Sequence, residues 1–369
     1  MTQISADFLV IGGGIAGMSA AAELARDASV ILLEAEEQLG YHSTGRSAAI
    51  FISNYGNATL RALSAAAHPA LAGELLGESV LSARGEMLVV QEHELDALAN
   101  YLEGATGLET LTPDEACALV PVLRRENIAA AVIERGAEDI DVDTLLQGYA
   151  RLFKARRGQV IQGARVTALA RESGLWQACA DGLTVAAPVL INAAGAWADH
   201  VGALAGLSPI GLQPTRRSAA LMAVPSECLP LTHWPLFGSV AEDGQGWYAK
   251  PDGDRLMISP ADEDAVAPHD AWPDDMVLAE GLHRFEQMVN IPLVKPSHTW
   301  AGLRSFAPDR SPIVGFDPAS EGFFWLAGQG GYGVQTAPAL AALTRVLATG
   351  AKAGHPDSLL AAVSPARLR

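Results

Sequence analysis

Between Asp7 and Glu34 the chain reads DFLVIGGGIAGMSAAAELARDASVILLE, an order of residues that few folds accommodate. Phe8 to Ile11 is a run of β-formers, Gly12, Gly14 and Gly17 follow at the spacing G-x-G-x-x-G, and Ile15 to Arg26 has the small, apolar spacing of a helix packed on a sheet. A second apolar run, Val30 to Leu33, ends in Glu34, twenty residues beyond Gly14. The pattern predicts strand, glycine turn, helix and strand, the unit that holds a dinucleotide pyrophosphate at a helix N-terminus. Gly12 permits the tight turn, Gly14 lets the pyrophosphate approach the backbone, and Gly17 allows helix to lie close on strand. Glu34 is placed to accept hydrogen bonds from an adenosine ribose, and its charge repels a 2′-phosphate, which favours FAD or NAD over NADP. The competing reading of the motif is a glycine turn with a packing role only.

With 369 residues, 49% hydrophobic and 18% charged, the chain is long and apolar enough for two cores. A formal net charge of -17 repels nucleic acid and anionic membrane surfaces, and weakly favours cationic small molecules. Cys117, Cys179 and Cys228 stand far apart, without a CxxC or metal-ligand spacing. Neither a disulfide framework nor a metal site is expected, and reduced thiols fit a cytoplasmic protein. The start lacks the basic n-region of a signal peptide, and no apolar run approaches the ~20 residues of a membrane span.

After Glu34 and Ala35, the loop His42, Ser43, Thr44, Gly45, Arg46, Ser47, Ala48 offers hydroxyl and N–H donors to a phosphate or a flavin edge, or else is a solvated connector with capping serines. Strands are expected at 84–91, 129–134 and 185–192, with two short ones within 158–169, and helices at 57–76, 92–101, 113–119, 142–154 and 274–289. Asn192-Ala193-Ala194-Gly195-Ala196-Trp197 ends an apolar strand in small residues, where an open α/β sheet admits a ligand or simply packs. Strand Ala219 to Val224 and a hairpin around 251–254 follow, and Gly238 to Gly246 has the composition of a lid. Near the end, Phe323 to Ala327, the turn Gly328-Gln329-Gly330-Gly331-Tyr332-Gly333 and Val334 to Ala348 repeat the order strand, glycine turn, helix. The N-terminus of that last helix suits negative charge developing on a reduced flavin, and the competing reading is a tight turn.

Taken together, Gly12 to Gly17, Glu34 and HSTGRSAA resemble the FAD-binding segments of the glycine/D-amino-acid oxidase (DAO) family, with D-arginine dehydrogenases its nearest branch. The resemblance runs from Asp7 to about Leu368. It implies an α/β fold, a Rossmann-like FAD-binding domain over residues 1–83, 142–213 and 300–369. An α+β substrate domain of antiparallel or mixed sheet takes 84–141 and 214–299. The implied cofactor contacts are Gly12, Gly14, Ile15, Ala16, Gly17, Glu34, Ala35, the loop from His42 to Ala48, Val166 beside adenine, Ala194, Gly195, Trp197, Gly302, Gly330, Gly331, Tyr332, Gly333, Val334, Gln335 and Thr336. Sarcosine oxidases tether flavin through a cysteine near the stretch held here by Gly302, so non-covalent FAD is expected.

Oxidation of an α-amino acid by flavin needs little protein acid/base chemistry, because the neutral amine's lone pair assists as the α-hydrogen leaves as hydride to flavin N5. The imino acid formed is hydrolysed to a keto acid and ammonia. What the protein must do is hold the substrate carboxylate. Arg304 suits that task through its guanidinium fork, and with Tyr248 it matches positions where the resembling family grips the carboxylate. Arg217 is the next candidate, unless it is a surface arginine beside Arg216. Gly331 matches a position whose carbonyl faces the amine, and Gln335 lies near it.

A glutamate at a strand start, such as Glu86, is ordinarily a solvated charge. By the resemblance it is the group that meets a basic side chain, with Tyr55 beside it. Ile50 and Ile52 replace a histidine and a threonine of the D-arginine enzymes, removing two polar groups close to flavin and substrate. The leading expectation is oxidative deamination of a basic D-amino acid, with oxygen, a quinone or a protein as electron acceptor. The alternatives are oxidation of a secondary amine, such as an N-alkyl amino acid or an opine, and a weakly catalytic flavin subunit of a larger dehydrogenase.

Overall fold

The computed structural model describes residues 2–240, 246–351, 354 and 356–369. The opening motif folds as its spacing predicts, into strand Phe8–Ile11, helix Ile15–Leu24 and strand Val30–Leu33. Phe8–Ile11 is buried along its whole length and pairs in parallel with Val30–Leu33 on one side and Val189–Asn192 on the other. The sheet runs Gln159–Ile161, Val30–Leu33, Phe8–Ile11, Val189–Asn192, Phe323–Ala327 and Ile313–Phe316, with only the last strand antiparallel. The chain leaves Phe8–Ile11 in one direction and returns much later on its other flank. Its carboxyl end is therefore the switch point of an open α/β sheet, where such sheets take their ligands.

Helices Ile15–Leu24, Val142–Ala155 and Gly333–Thr349 cover one face, packing Met18, Leu145, Phe153 and Leu340 against Val10 and Phe324. Asp141 caps Val142–Ala155 by accepting the Thr144 N–H at 2.9 Å. The other face is closed by a sheet of Thr2–Ser5, Leu183–Ala187, Leu175–Ala180 and Ala168–Glu172, through Leu9, Leu33, Val185 and Trp325.

The reading of 185–192 as one strand needs correction. The segment divides into Leu183–Ala187, which pairs antiparallel with Leu175–Ala180, and Val189–Asn192 in the central sheet. Pro188 stands at the break, with no N–H to give to a ladder and a fixed φ. The lid expected at Gly238 to Gly246 lies mostly outside the described residues, since 241–245 are not among them.

A second large sheet carries the order His298–Phe306, Gln213–Ala223, Arg255–Ser259, Tyr248–Asp252, Leu236–Gly238, Glu86–Val90, Ala130–Glu134, Glu109–Leu111. One face packs Met87, Ile133, Phe237, Ala249 and Ile258 against Phe285 of helix Asp275–Met288. Strand alternation and register then put Glu86, Glu134, Arg217, Tyr248 and Arg304 on the opposite face. Among the described residues no helix is long and apolar enough to cross a membrane. Cys117, Cys179 and Cys228 are all unbridged and partly buried.

The tightest local constraint is at Gly17, where a Cβ would stand 1.9 Å from the Gly12 carbonyl oxygen. Gly17→Ala forces helix and strand apart and is expected to lower stability by about 1–3 kcal/mol, read from the urea midpoint. An unchanged midpoint would contradict the packing described.

Candidate active site

A cavity of about 730 Å³ opens at the switch point, within the range of ligand pockets. The first glycine unit supplies Gly12, Gly14, Ile15, Ala16, Glu34 and Ala35 to its wall. His42, Ser43 and Thr44 line it too, with Val166, Ala194, Gly195, Trp197, Gly330 and Gly333. Gly12, at φ +108°, has no room for a side chain, since a Cβ would meet the Ala193 carbonyl oxygen at 2.4 Å. Glu34 is buried at the strand end, and its carboxylate accepts the Gly13 N–H at 2.5 Å and the Glu36 N–H at 2.8 Å. It is thus fixed in place at the cavity wall, as a ribose-binding carboxylate must be. A glycine cradle, a fixed acid and a helix starting at Ile15 fit the ADP half of FAD.

The polar loop is anchored rather than solvated. Thr44 Oγ1 accepts the Ile15 N–H at 3.0 Å, and Ser43 Oγ donates to the Leu303 carbonyl at 2.6 Å. Arg46 points to nearby backbone of segments 270–271 and 301, donating to the Ala271 and Ala301 carbonyls at 3.1 and 3.0 Å and pairing with Asp270 at 2.5 Å.

A smaller cavity of about 90 Å³ adjoins the first, sharing Ile15, Ser43, Thr44, Leu303, Gly330 and Gly333. Arg46, Ser47, Ala48, Gly302, Gly331 and Val334 line it, as do Arg217, Tyr248 and Arg304 of the second sheet. None of the three cysteines is among its lining residues. Arg304 donates to the Tyr55 hydroxyl at 3.2 Å and, among the described residues, has no carboxylate partner. Gly331 makes room for it, because a Cβ there would stand 2.8 Å from Arg304 Nη1. Burial alone would raise the Tyr248 hydroxyl, but Arg304 and Arg217 hold it below the ordinary tyrosine range. Arg217 is itself tethered, donating to the Asp262 carbonyl at 2.7 Å and to Glu263 at 3.1 Å.

Other expected residues stand behind this wall. Gln335 is buried, and its amide spans the Ile52 N–H at 3.2 Å and the Ile52 carbonyl at 3.3 Å. Thr336 bonds back to the Tyr332 carbonyl, Gly45 N–H donates to the Gly40 carbonyl, and Tyr332 packs its ring 4.6 Å from that of Tyr55. Ile50 pairs with Asp139 in a short strand. Glu86 lines neither cavity; it accepts from the Tyr101 hydroxyl at 3.2 Å and lies directly across the sheet from Glu134. Burial, reinforced by the Glu134 charge, pushes its carboxyl up to about 8.

Met257, Ala219 and Trp300 also line the small cavity, and Gln329, Arg165 and His200 the large one. The sequence marks Gln329 only as part of the glycine turn, and Met257 and Ala219 only by strand alternation.

The sequence profile described as FAD dependent oxidoreductase matches residues 7–347. The glycine oxidase of Geobacillus kaustophilus (strain HTA426) is 25% identical over 353 residues, covering 90% of both chains. Sarcosine oxidase subunit beta of Rhizobium meliloti (strain 1021) is 26% identical over 336 residues, covering 85% of this chain and 77% of that one. The crystal structure of L-proline dehydrogenase from P. horikoshii has the same fold, with a TM-score of 0.82, 21% identity and 96% of each chain covered.

The Glu86 environment makes a testable claim about pH. An unfolded carboxyl releases its proton near 4.5, whereas folded Glu86 keeps it up to about 8. Over that interval the folded state binds more protons, so Glu86 makes stability fall as pH rises, by about 1.4 kcal/mol per unit at most. Glu86→Gln is expected to lose on the order of 2 kcal/mol less than wild type between about pH 5.5 and 7.5, by urea unfolding. Parallel pH profiles for the two proteins would contradict the assigned burial.

Proposed function

We propose, because this chain belongs to the FAD dependent oxidoreductase family, that it oxidises a small α-amino acid whose nitrogen carries hydrogen or an alkyl group, held by its carboxylate on Arg304. The chain is an FAD-dependent enzyme of amine or amino-acid substrates. The observation that carries the finer reading is the Arg304 guanidinium, set at the wall of the small cavity with no carboxylate partner among the described residues.

FAD, when bound, supplies the electron acceptor for oxidation of the substrate C–N unit. The chain's own groups orient and select. Arg304 presents a planar fork to a carboxylate, and Tyr55, accepting from Arg304, keeps its own O–H proton to donate. Tyr248, its hydroxyl held low by two guanidinium groups, is a strong donor to the same anion. Those cations also disfavour a substrate ammonium, so they promote loss of its proton and the neutral amine that oxidation requires. Ala48, Ala219, Met257 and Val334 leave a short apolar space suited to hydrogen or methyl on nitrogen. By their names, the similar proteins act on glycine and on sarcosine, an N-methyl amino acid, which supports this size class.

A second reading, a basic D-amino acid whose side chain meets Glu86, is supported by the place of Glu86 on the same sheet face as Tyr248. A complete carboxylate grip within one chain supports catalysis by the chain itself over a carrier role in a larger dehydrogenase.

An anaerobic panel of glycine, sarcosine, other N-alkyl amino acids, and D- and L-amino acids tests both readings through bleaching of the flavin's visible absorbance. Sarcosine and glycine are expected to bleach fastest, and bleaching by D-Arg or D-Lys alone would overturn the first reading for the second. Arg304→Met is expected to lower kcat/KM by about 2–4 kcal/mol, roughly 30- to 1,000-fold. Unchanged kcat/KM would remove Arg304 from the site.

A further inference from the structure

Tyr55 reaches Arg304 from a segment with no regular structure of its own beyond the two-residue strand Ile50–Phe51. Two buried side chains from distant parts of the chain hold that segment. Gln335 brackets both backbone groups of Ile52 and anchors itself by donating to Ser64 Oγ at 2.7 Å. Glu134, 4% exposed at the end of strand Ala130–Glu134, takes the next two residues. Its Oε1 accepts the Ser53 N–H at 2.7 Å, and its Oε2 accepts the Asn54 N–H at 3.3 Å and Asn54 Nδ2 at 2.6 Å. Asn54 in turn exchanges two bonds of 2.9 Å with the Thr106 backbone.

Three N–H donors converging on one carboxylate is more than a buried acid needs for burial alone, and all three belong to the residues immediately before Tyr55. From this geometry we infer that Glu134 is a positioning residue of the substrate-carboxylate site, acting on Arg304 through the backbone that presents the Tyr55 hydroxyl. The second sheet thereby grips the loop whose tyrosine completes the grip on substrate, so carboxylate affinity depends on a residue that touches neither substrate nor cofactor. A neutral amide cannot do the same work. It offers one oxygen, so either Ser53 or Asn54 loses its acceptor and meets an NH₂ group instead.

The inference rests on the proposed role of Arg304, and acetate bound to the FAD-loaded protein separates the two. Acetate affinity is read from the change in the flavin absorption spectrum for wild type, Arg304→Met, Tyr55→Phe, Glu134→Gln and the double variant of Tyr55 and Glu134. Tyr55→Phe and Glu134→Gln are each expected to weaken acetate binding about 3- to 10-fold, and the double variant no more than the weaker-binding single, because both changes act through one hydroxyl. Glu134→Asp, which keeps two oxygens, should restore part of the loss.

Wild-type affinity in Glu134→Gln, or a double variant weakened by the product of the two singles, would overturn the inference while leaving Arg304 in place. Wild type binding acetate no better than Arg304→Met would overturn the carboxylate site itself, and the inference with it. Should Glu134→Gln not retain FAD, Asn54→Ala, which removes the 2.6 Å bond, is held to the same non-additivity with Tyr55→Phe.

Discussion

A guanidinium set against a glycine backbone, with a tyrosine hydroxyl as its hydrogen-bond partner, is the interaction on which the site depends. Arg304 stays charged throughout the physiological range, and a partly buried cation with no anion among the described residues is costly to maintain. The fold meets that cost locally with Tyr55 at 3.2 Å and with Gly331, whose missing side chain is the space the guanidinium occupies. On the proposed reading the missing negative charge is the substrate carboxylate, in the cavity that Arg304 lines. In that proposal substrate binding and pocket stability are two aspects of the same charge.

The sheet arrangement makes this possible. The parallel sheet ends its strands at glycine turns that give the cofactor access to backbone, and the second sheet presents one alternating face of polar side chains toward them. Loops 42–48 and 50–55 run between the two and are fixed from both sides. Ser43 bonds to the Leu303 carbonyl, Thr44 to the Ile15 N–H, and the backbone of Ile52 to Asn54 is held by Gln335 and Glu134. An enzyme that leaves redox chemistry to its cofactor contributes mainly such positioning.

How much of this the sequence discloses depends on the distance over which each feature is determined. Gly12, Gly14, Gly17 and Glu34 were legible because their spacing is imposed by local backbone geometry. Pro188 was equally local and should have divided the strand read across 185–192. Arg304 is singled out by its guanidinium fork and its flanking resemblance, but nothing near WAGLRSF says that Tyr55 will meet it. The bonds of Glu134 to Ser53 and of Gln335 to Ile52 were not legible at all, because they join residues 81 and 283 positions apart. Net charge is silent on the site in a similar way. A total of -17 describes the distant field, whereas the small cavity is walled by Arg46, Arg217 and Arg304.

The central claim is that an organic carboxylate completes the Arg304 site. A crystal structure of the FAD-loaded protein with a non-oxidisable carboxylate such as acetate tests it most directly. The account predicts carboxylate oxygens within hydrogen-bond distance of the Arg304 guanidinium and of the Tyr55 and Tyr248 hydroxyls. Acetate bound elsewhere, with Arg304 turned to a carboxylate of the chain, would contradict it.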